Sequence, residues 1–555
     1  MLYRKSLFIV LLFFFLYGIL QSQNINYTNQ AIQIVDKIEE PGAKAPKEWE
    51  VHGSWTSQLR YYNVTGDGQG SLKDQGVFHS HALNLSLEGE IGNNVFFRGN
   101  VAGSFDDQES SSDNKFRLDN LLLEFYQPNL FSVQFGDVSP SLSYYTLQQT
   151  LEGFNGYYNI ELADKQAVVL SGVVGQIPRD FHGGPRRMVY AYRMEGREFL
   201  PGLIMGIDQV FIDDHEREAG LQDVSVFSFN GRWELPVLKG LEWYWDLAHS
   251  FNLQDNGDNE PAKQDGWGIR TGLSYAPDEK GRYLIEFEQN SYDFTSPVAA
   301  GAPDRRTLRV QGNRQLLENL QLVGSYNYHE DNLSNTLQST TRSHQTNWDL
   351  QYQPFKNAEE EYLANLNLTQ TLGFTKRYDK NNFESNIWDM MWSASNRYQD
   401  FSLQISYTVS VVDERIAENS DSQTHALQTR LGYSHKFMED NLSIDTGIYI
   451  RYSDQLLKKD RREHTISRIY GWNFLANLYE HYELSSNVEY QRLTKAGNSY
   501  EGEVYLFKME ARYSYNLPKG QIKAGMLLEY NAYNYMKKAE EFDELRLMAN
   551  FSYIF

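Results

Sequence analysis

Few side chains in this 555-residue chain are spaced for chemistry. His79 and His81 lie two apart, so on a strand both imidazoles face one way, as two metal ligands would. No third ligand accompanies them, and a position near an outer rim is the blander reading. Asp213-Asp214-His215-Glu216 and Asp255-Asn256-Gly257-Asp258-Asn259-Glu260 offer oxygen ligands suited to Ca²⁺, but neither has the spacing of an EF-hand. Both read as solvated loop tips. There is no cysteine, which excludes disulfides, Cys-ligated zinc, iron–sulfur clusters, c-type haem attachment and a Cys nucleophile. No Ser/His/Asp order, phosphate loop or dinucleotide fingerprint is present, so neither catalysis nor a bound cofactor is expected.

The remaining charged candidates fall into a pattern: Glu88, Glu90, Arg98, Arg232, Glu234, Arg270, Glu286, Glu288, Arg430, Glu544 and Arg546. Each occupies the polar parity of a segment whose other parity is apolar. In Trp267–Tyr275, Trp267, Ile269, Thr271, Leu273 and Tyr275 alternate with Gly268, Arg270, Gly272 and Ser274. Phe227–Leu235, Leu427–Phe437 and the final residues from Glu544 to Phe555 repeat the scheme. A period of two marks β-strands with one apolar and one polar face. These charges can line a water-filled space, or pair across neighbouring strands and stiffen a wall. Glu88 and Glu90 stand where either can pair with Arg98 across a tight turn at 92–94.

Alternation is shared by a soluble sandwich and by a membrane barrel whose apolar face meets lipid. The spacing of the segments separates them. About 26 strands are counted (22–26), most longer than globular strands and suited to a tilted bilayer crossing. These strands include 153–161, 282–294 and 362–374. Links after even strands are short, as in Pro128-Asn129 and Pro518-Lys519; links after odd strands are longer and polar, as in 108–115, 254–266 and 456–464. That asymmetry is the pattern of an outer-membrane barrel. Tyr and Trp recur at strand ends (Tyr61-Tyr62, Tyr157-Tyr158, Trp243-Tyr244, Tyr533 and Tyr535), where interfacial girdles would use them. At the N-terminus, Arg4 and Lys5 precede the apolar run Leu7–Leu20, too short to span a bilayer as a helix, followed by Gln21-Ser22-Gln23. Residues 1–22 read as a secretory signal, 23–50 as a polar periplasmic segment and 51–555 as the barrel. The formal charge, 51 − 73 = −22, becomes 49 − 73 = −24 after cleavage. An acidic surface excludes nucleic acid as a partner.

The terminal strand Leu545–Phe555, LRLMANFSYIF, with Phe551, Tyr553 and Phe555 on one face, resembles the C-terminal recognition strand of Gram-negative outer-membrane barrels. The resemblance implies an all-β, up-and-down antiparallel transmembrane barrel in the outer membrane. It implies assembly by the barrel-assembly machinery and contact with outer-membrane lipid and lipopolysaccharide. Against lipopolysaccharide the loop Asp180–Arg187 (DFHGGPRR) is a candidate, though it also reads as a plain turn.

Twenty-six strands at ordinary spacing and tilt enclose a backbone circle roughly 50 Å across. A hole that wide must be narrowed or filled. The segment 136–156 is too apolar for a solvated loop, through Leu142, Tyr144, Tyr145, Leu147, Leu151 and Phe154. It either folds inward as a constriction or forms a longer hairpin. The leading functional reading is a porin-like channel with a polar, acidic lumen for small or extended solutes, with a cation bias. The alternative is a sheath or export conduit filled by a partner protein or an exported polymer. Two barrel types are similar in size. The lipopolysaccharide-export barrel carries a periplasmic domain and cysteines that this chain lacks. The porin that sheathes multihaem cytochromes is similarly a plain barrel.

Overall fold

Alternating side chains leave each segment with one face that must avoid water and one that must keep it. Extended strands meet both demands, provided no ladder edge is left open. The computed structural model describes residues 49–66, 75–92, 94–107, 116–163, 165–177, 187–214, 223–254, 262–334, 340–379, 384–414, 421–438, 441–457, 464–479, 481–496, 500–518, 520–535 and 542–555. Its strands are β1 (Glu50–Gly66), β2 (Gly76–Gly92), β3 (Val95–Asp106), β4 (Phe116–Gln127), β5 (Phe131–Val138), β6 (Leu151–Ala163), β7 (Gln166–Gln176), β8 (Arg187–Arg197) and β9 (Leu203–Asp214). They continue as β10 (Asp223–Glu234), β11 (Leu241–Gln254), β12 (Ala262–Asp278), β13 (Gly281–Asn290), β14 (Arg305–Leu317), β15 (Leu320–Asp331), β16 (Thr341–Tyr352), β17 (Asn367–Asp379) and β18 (Glu384–Tyr398). The last are β19 (Phe401–Glu414), β20 (Ser422–Phe437), β21 (Leu442–Leu457), β22 (His464–Leu478), β23 (Tyr482–Ala496), β24 (Tyr500–Leu517), β25 (Gly520–Tyr535) and β26 (Phe542–Ile554).

Each strand pairs antiparallel with its neighbours in sequence, and β26 pairs with β1 from Ser54↔Ile554 to Gly66↔Phe542. The protein is therefore an all-β, closed, up-and-down barrel of 26 strands. The seam is tied at its end by Gly53 N–H donating to Phe555 O (2.7 Å) and Phe555 N–H donating to Gly53 O (2.9 Å). Among the described residues no helix is long and apolar enough to cross a membrane.

The two faces differ as the alternation requires. Phe227, Phe229, Leu247, Trp267, Leu273 and Ile285 are exposed, while Val224, Val226, Ser228, Ala248 and Glu286, of the opposite parity, are buried. Large apolar side chains exposed all round a cylinder form an outward band suited to lipid. The aromatics split between the faces. In each adjacent pair one ring must point inward: Tyr62 donates to Glu544 (2.6 Å) and Tyr244 to Glu286 (2.6 Å), while Tyr61, Tyr158 and Trp243 stay exposed. Only the outward member of each such pair can therefore serve a girdle. Tyr533 and Tyr535 are two apart rather than adjacent, and Tyr533 takes the face opposite the exposed Met526 and Tyr530.

Three local expectations are corrected. The strand read at 362–374 begins at Asn367, because Glu361–Ala364 makes one helical turn (α1) within the 353–366 link. That link follows an even strand and breaks the short-link rule. The strand read at 282–294 ends at Asn290, and residues 291–304 leave the wall. The strand read at 153–161 begins at Leu151, so the apolar connection is 139–150. Phe154 accordingly belongs to β6. It lies three residues from the buried Leu151, hence on the other face, where it packs on Phe135 with ring centroids 5.3 Å apart.

Candidate functional site

Two connections, 139–150 and 291–304, hold the buried core of this protein. Tyr145, Leu147 and Phe294 have no exposed surface, and Val298 has almost none. They cluster with Val138, Leu151, Val173, Val189, Val210, Ile212, Val226 and Ala248, which lie on β5 through β11. A short segment that touches so many consecutive strands reaches them only from the concave side of the cylinder. Burying Tyr145, Leu147 and Phe294 contributes about 2 kcal/mol each.

Hydrogen bonds join the two segments. Gln148 N–H donates to Val298 O (2.9 Å), Ala300 N–H to Tyr144 O (3.3 Å) and the Ser296 hydroxyl to Tyr145 O (2.8 Å). The Tyr145 and Phe294 rings meet edge to face at 5.2 Å. Within the first segment, Leu142 N–H donates to Leu147 O (3.1 Å), which closes a tight loop around the pair of tyrosines. A glycine in the wall makes the close approach feasible: a Cβ at Gly266 would stand 2.2 Å from the Phe294 backbone.

Charged groups beneath the segments complete the site. The Arg270 guanidinium donates to Glu286 (2.6 and 2.9 Å) and lies 4.2 Å from the Tyr144 ring centre. Tyr144 donates its hydroxyl to Glu288 (3.1 Å). Burial, reinforced by the Glu288 carboxylate, pushes the pKa of this loop phenol up, so it remains a donor. Asn290 donates its amide to Glu288 (2.9 Å) and to Ala302 O (2.8 Å). On the other flank, Arg193 bonds Glu195 and Leu142 O, and its Nε stands 3.6 Å from Asp208 Oδ1. Arg197 also donates to Glu195 (2.7 Å). Asp208 accepts from Asn230 (2.7 Å), and Asp246 accepts from Ser228 (2.5 Å), whose hydroxyl meets Ser143 of the first segment at 3.2 Å.

Sequence reasoning marked Arg270, Glu286 and Glu288, and the structure brings them together under Tyr144. It did not mark Arg193, Glu195, Asp208 or Asp246, or the whole 291–304 segment. Parity alone would have found the four charges: each sits beside an apolar residue of the opposite parity, Tyr192 and Met194 for Arg193, Met194 for Glu195, Ile207 for Asp208 and Leu247 for Asp246. The 291–304 segment carried a weaker signal, two aromatics, Tyr292 and Phe294, among mostly small residues, and only Phe294 is buried.

The other marked charges lie on the same inner parity but away from these segments. Arg98 pairs with Glu88 across the 92–94 turn at 2.8 Å and stands 3.5 Å from Glu124. Glu90 accepts from Asn94 N–H (3.3 Å). Arg546 lies 3.5 Å from Glu529. Arg232 and Glu234 end β10, and Arg430 sits mid-strand on β20. On the outer face, His79 pairs with Asp107 (3.1 Å), and the rings of His79 and His81 lie 6.3 and 6.1 Å from that of Phe105. Among the described residues no three His, Asp or Glu side chains gather as a metal site. Residues 1–48, 178–186, 215–222 and 255–261 lie outside the described residues, and with them the export signal, the basic loop and most of the two acidic loop tips.

No family model matches the chain, and no curated protein matches it. Among solved structures, that of the P pilus usher (PapC) translocation pore is 10% identical over 91% of this chain and 99% of that one, with a TM-score of 0.39. OpdL of Pseudomonas aeruginosa is 13% identical over 66% of this chain and 99% of its own, at 0.34. The outer membrane channel DcaP of Acinetobacter baumannii is 12% identical over 62% and 94%, at 0.27. Scores this low carry no argument about this chain, whose barrel rests on its own closed ladder.

Proposed function

We propose that the protein is a porin-like channel of the Gram-negative outer membrane, passing small or extended solutes through a polar lumen narrowed on one side. The observation that carries this reading is the pair of inward segments, 139–150 and 291–304, locked together through Tyr145, Phe294 and Ser296. They occupy the concave side of β5–β12, with Leu122 of β4 packed against the edge, and this buried core reaches no further round the wall. The outward apolar band supports a membrane location. In this reading residues 1–22 are a removed export signal and 23–50 a periplasmic leader. Phe551, Tyr553 and Phe555 serve recognition by the assembly machinery. Acidic groups outnumber basic ones around the segments: Glu195, Asp208, Asp246, Glu286 and Glu288 against Arg193, Arg197 and Arg270. A cation preference follows.

The test is conductance of purified protein in a planar bilayer under a KCl gradient. Steady conductance with a reversal potential favouring K⁺ is expected. Replacing 142–148 by a Gly-Ser linker should raise the single-channel conductance. A silent bilayer, or a tightly co-purifying polypeptide whose removal alone opens the pore, would overturn the reading in favour of a filled sheath.

A further inference from the structure

The inner wall is not uniform. Beneath the inward segments and around β1–β4 it carries ion pairs. Across β15–β20 one register row is neutral throughout: Gln321 faces Gln351, which faces Thr369, then Ser393, Ser406 and Gln428. Six adjacent strands therefore present a line of amides and hydroxyls, with neighbours about 4.8 Å apart. The parity is the inner one, because the exposed Trp348, Leu368, Trp392, Ile405 and Leu427 occupy the other.

This row is also poor in internal partners. Gln321, Thr369, Ser393 and Ser406 make no side-chain hydrogen bond within the described chain, whereas the charged clusters elsewhere are bonded to one another. Gln351 donates to Asp349 (3.0 Å), and Gln428 accepts from Arg451 (3.3 Å). A hydroxyl or amide both donates and accepts, and it holds no counter-ion. It can replace water around a solute that is itself a string of hydroxyls; the charges nearest the row are Asp349, bonded to Gln351, and Arg451 and Arg430, beside Gln428 at its β20 end. The row carries no aromatic ring, so it has no stacking platform that would retain the solute.

We propose, resting on the channel reading above, that this arc selects the solute class: uncharged, polyhydroxylated molecules of the oligosaccharide type, passed with weak retention. The experiment is proteoliposome swelling with the full-length protein, in isosmotic raffinose against a charged peptide of similar size, with KCl conductance measured in parallel. Faster swelling in raffinose is expected. The triple variant Thr369→Val, Ser393→Ala, Ser406→Ala should keep its KCl conductance and lose raffinose swelling several-fold. Ser406→Asp, a single change that leaves the ladder intact, should slow raffinose while raising cation preference. Conductance with no raffinose advantage, or variants that swell like the parent, would overturn the solute assignment alone. Loss of all conductance in the parent would instead overturn the channel.

Discussion

Arg270 shows how one side chain ties the wall to what lies inside it. Its guanidinium bonds Glu286 and lies against the Tyr144 ring, with both charges largely buried. Removing one partner of a buried pair leaves the other uncompensated and costs about 3–5 kcal/mol. Arg270→Ala is therefore expected to lower the heat-modification midpoint of the folded barrel in detergent. Arg270→Met with Glu286→Leu, which removes both charges, should recover most of the loss; a double variant as weak as the single would refute the pairing. The residues here were legible from parity, because which face a side chain takes is a local property. Their partnerships were legible only where a tight turn sets the register, as for Glu88 and Arg98, found 2.8 Å apart. Arg193 and Asp208 lie on strands joined by an ordinary link, and nothing in the sequence tells that Leu142 O would complete their shell.

Strands and connections pose a different question: which of them bear weight. The 291–304 segment lies flat against the wall only because Gly266 has no side chain. Gly266→Leu should push it off, release Phe294 from Tyr145 and enlarge the single-channel conductance while the barrel still forms; unchanged conductance would show that the segment does not constrict. The β4–β5 ladder is the shortest in the barrel, running only from Leu122↔Gly136 to Gln127↔Phe131. Above it the Asp137 carboxylate takes over by accepting Leu121 N–H (2.6 Å). Backbone amides of β4 and β5 should exchange with deuterium before those of β24 and β25, whose ladder runs from Gly502↔Tyr535 to Leu517↔Gly520. Equal protection would remove the weak seam. The strands were readable because their period is two over long stretches. The shift of β17 to Asn367 was not, since α1 and a strand start with similar residues.

Closure is a property of the cylinder and of nothing smaller. Every ladder depends on the β1–β26 seam, where Phe555 lies over Gly53 and Trp55 meets Phe551 edge to face at 5.7 Å. Deleting Phe555 removes both terminal hydrogen bonds to Gly53 and one ring of the outward trio. Slower appearance of the heat-modifiable folded form in cells is expected, with normal stability once folded. Unchanged assembly kinetics would argue against a recognition role for the terminal residue. The charge distribution also belongs here: the chain is acidic at 51 − 73 = −22, yet many wall charges are spent in pairs. What a solute meets thus depends on which arc of the wall stays open.

The barrel architecture, a strand count of 22–26 and the parity of the side chains were legible in the sequence alone, because alternation is a short-range pattern that a closed ladder must honour; the closure at 26 is seen only in the ladder itself. Which connections turn inward was decided in three dimensions. Leu142, Tyr144, Tyr145 and Leu147 announced their discomfort in water, but Phe154, equally apolar, found its place on the outer face of β6. The second segment, 291–304, is buried mainly because the first is there to receive it. Burial of that kind is a contact between residues some 150 positions apart in the chain, and only the folded cylinder brings them within reach.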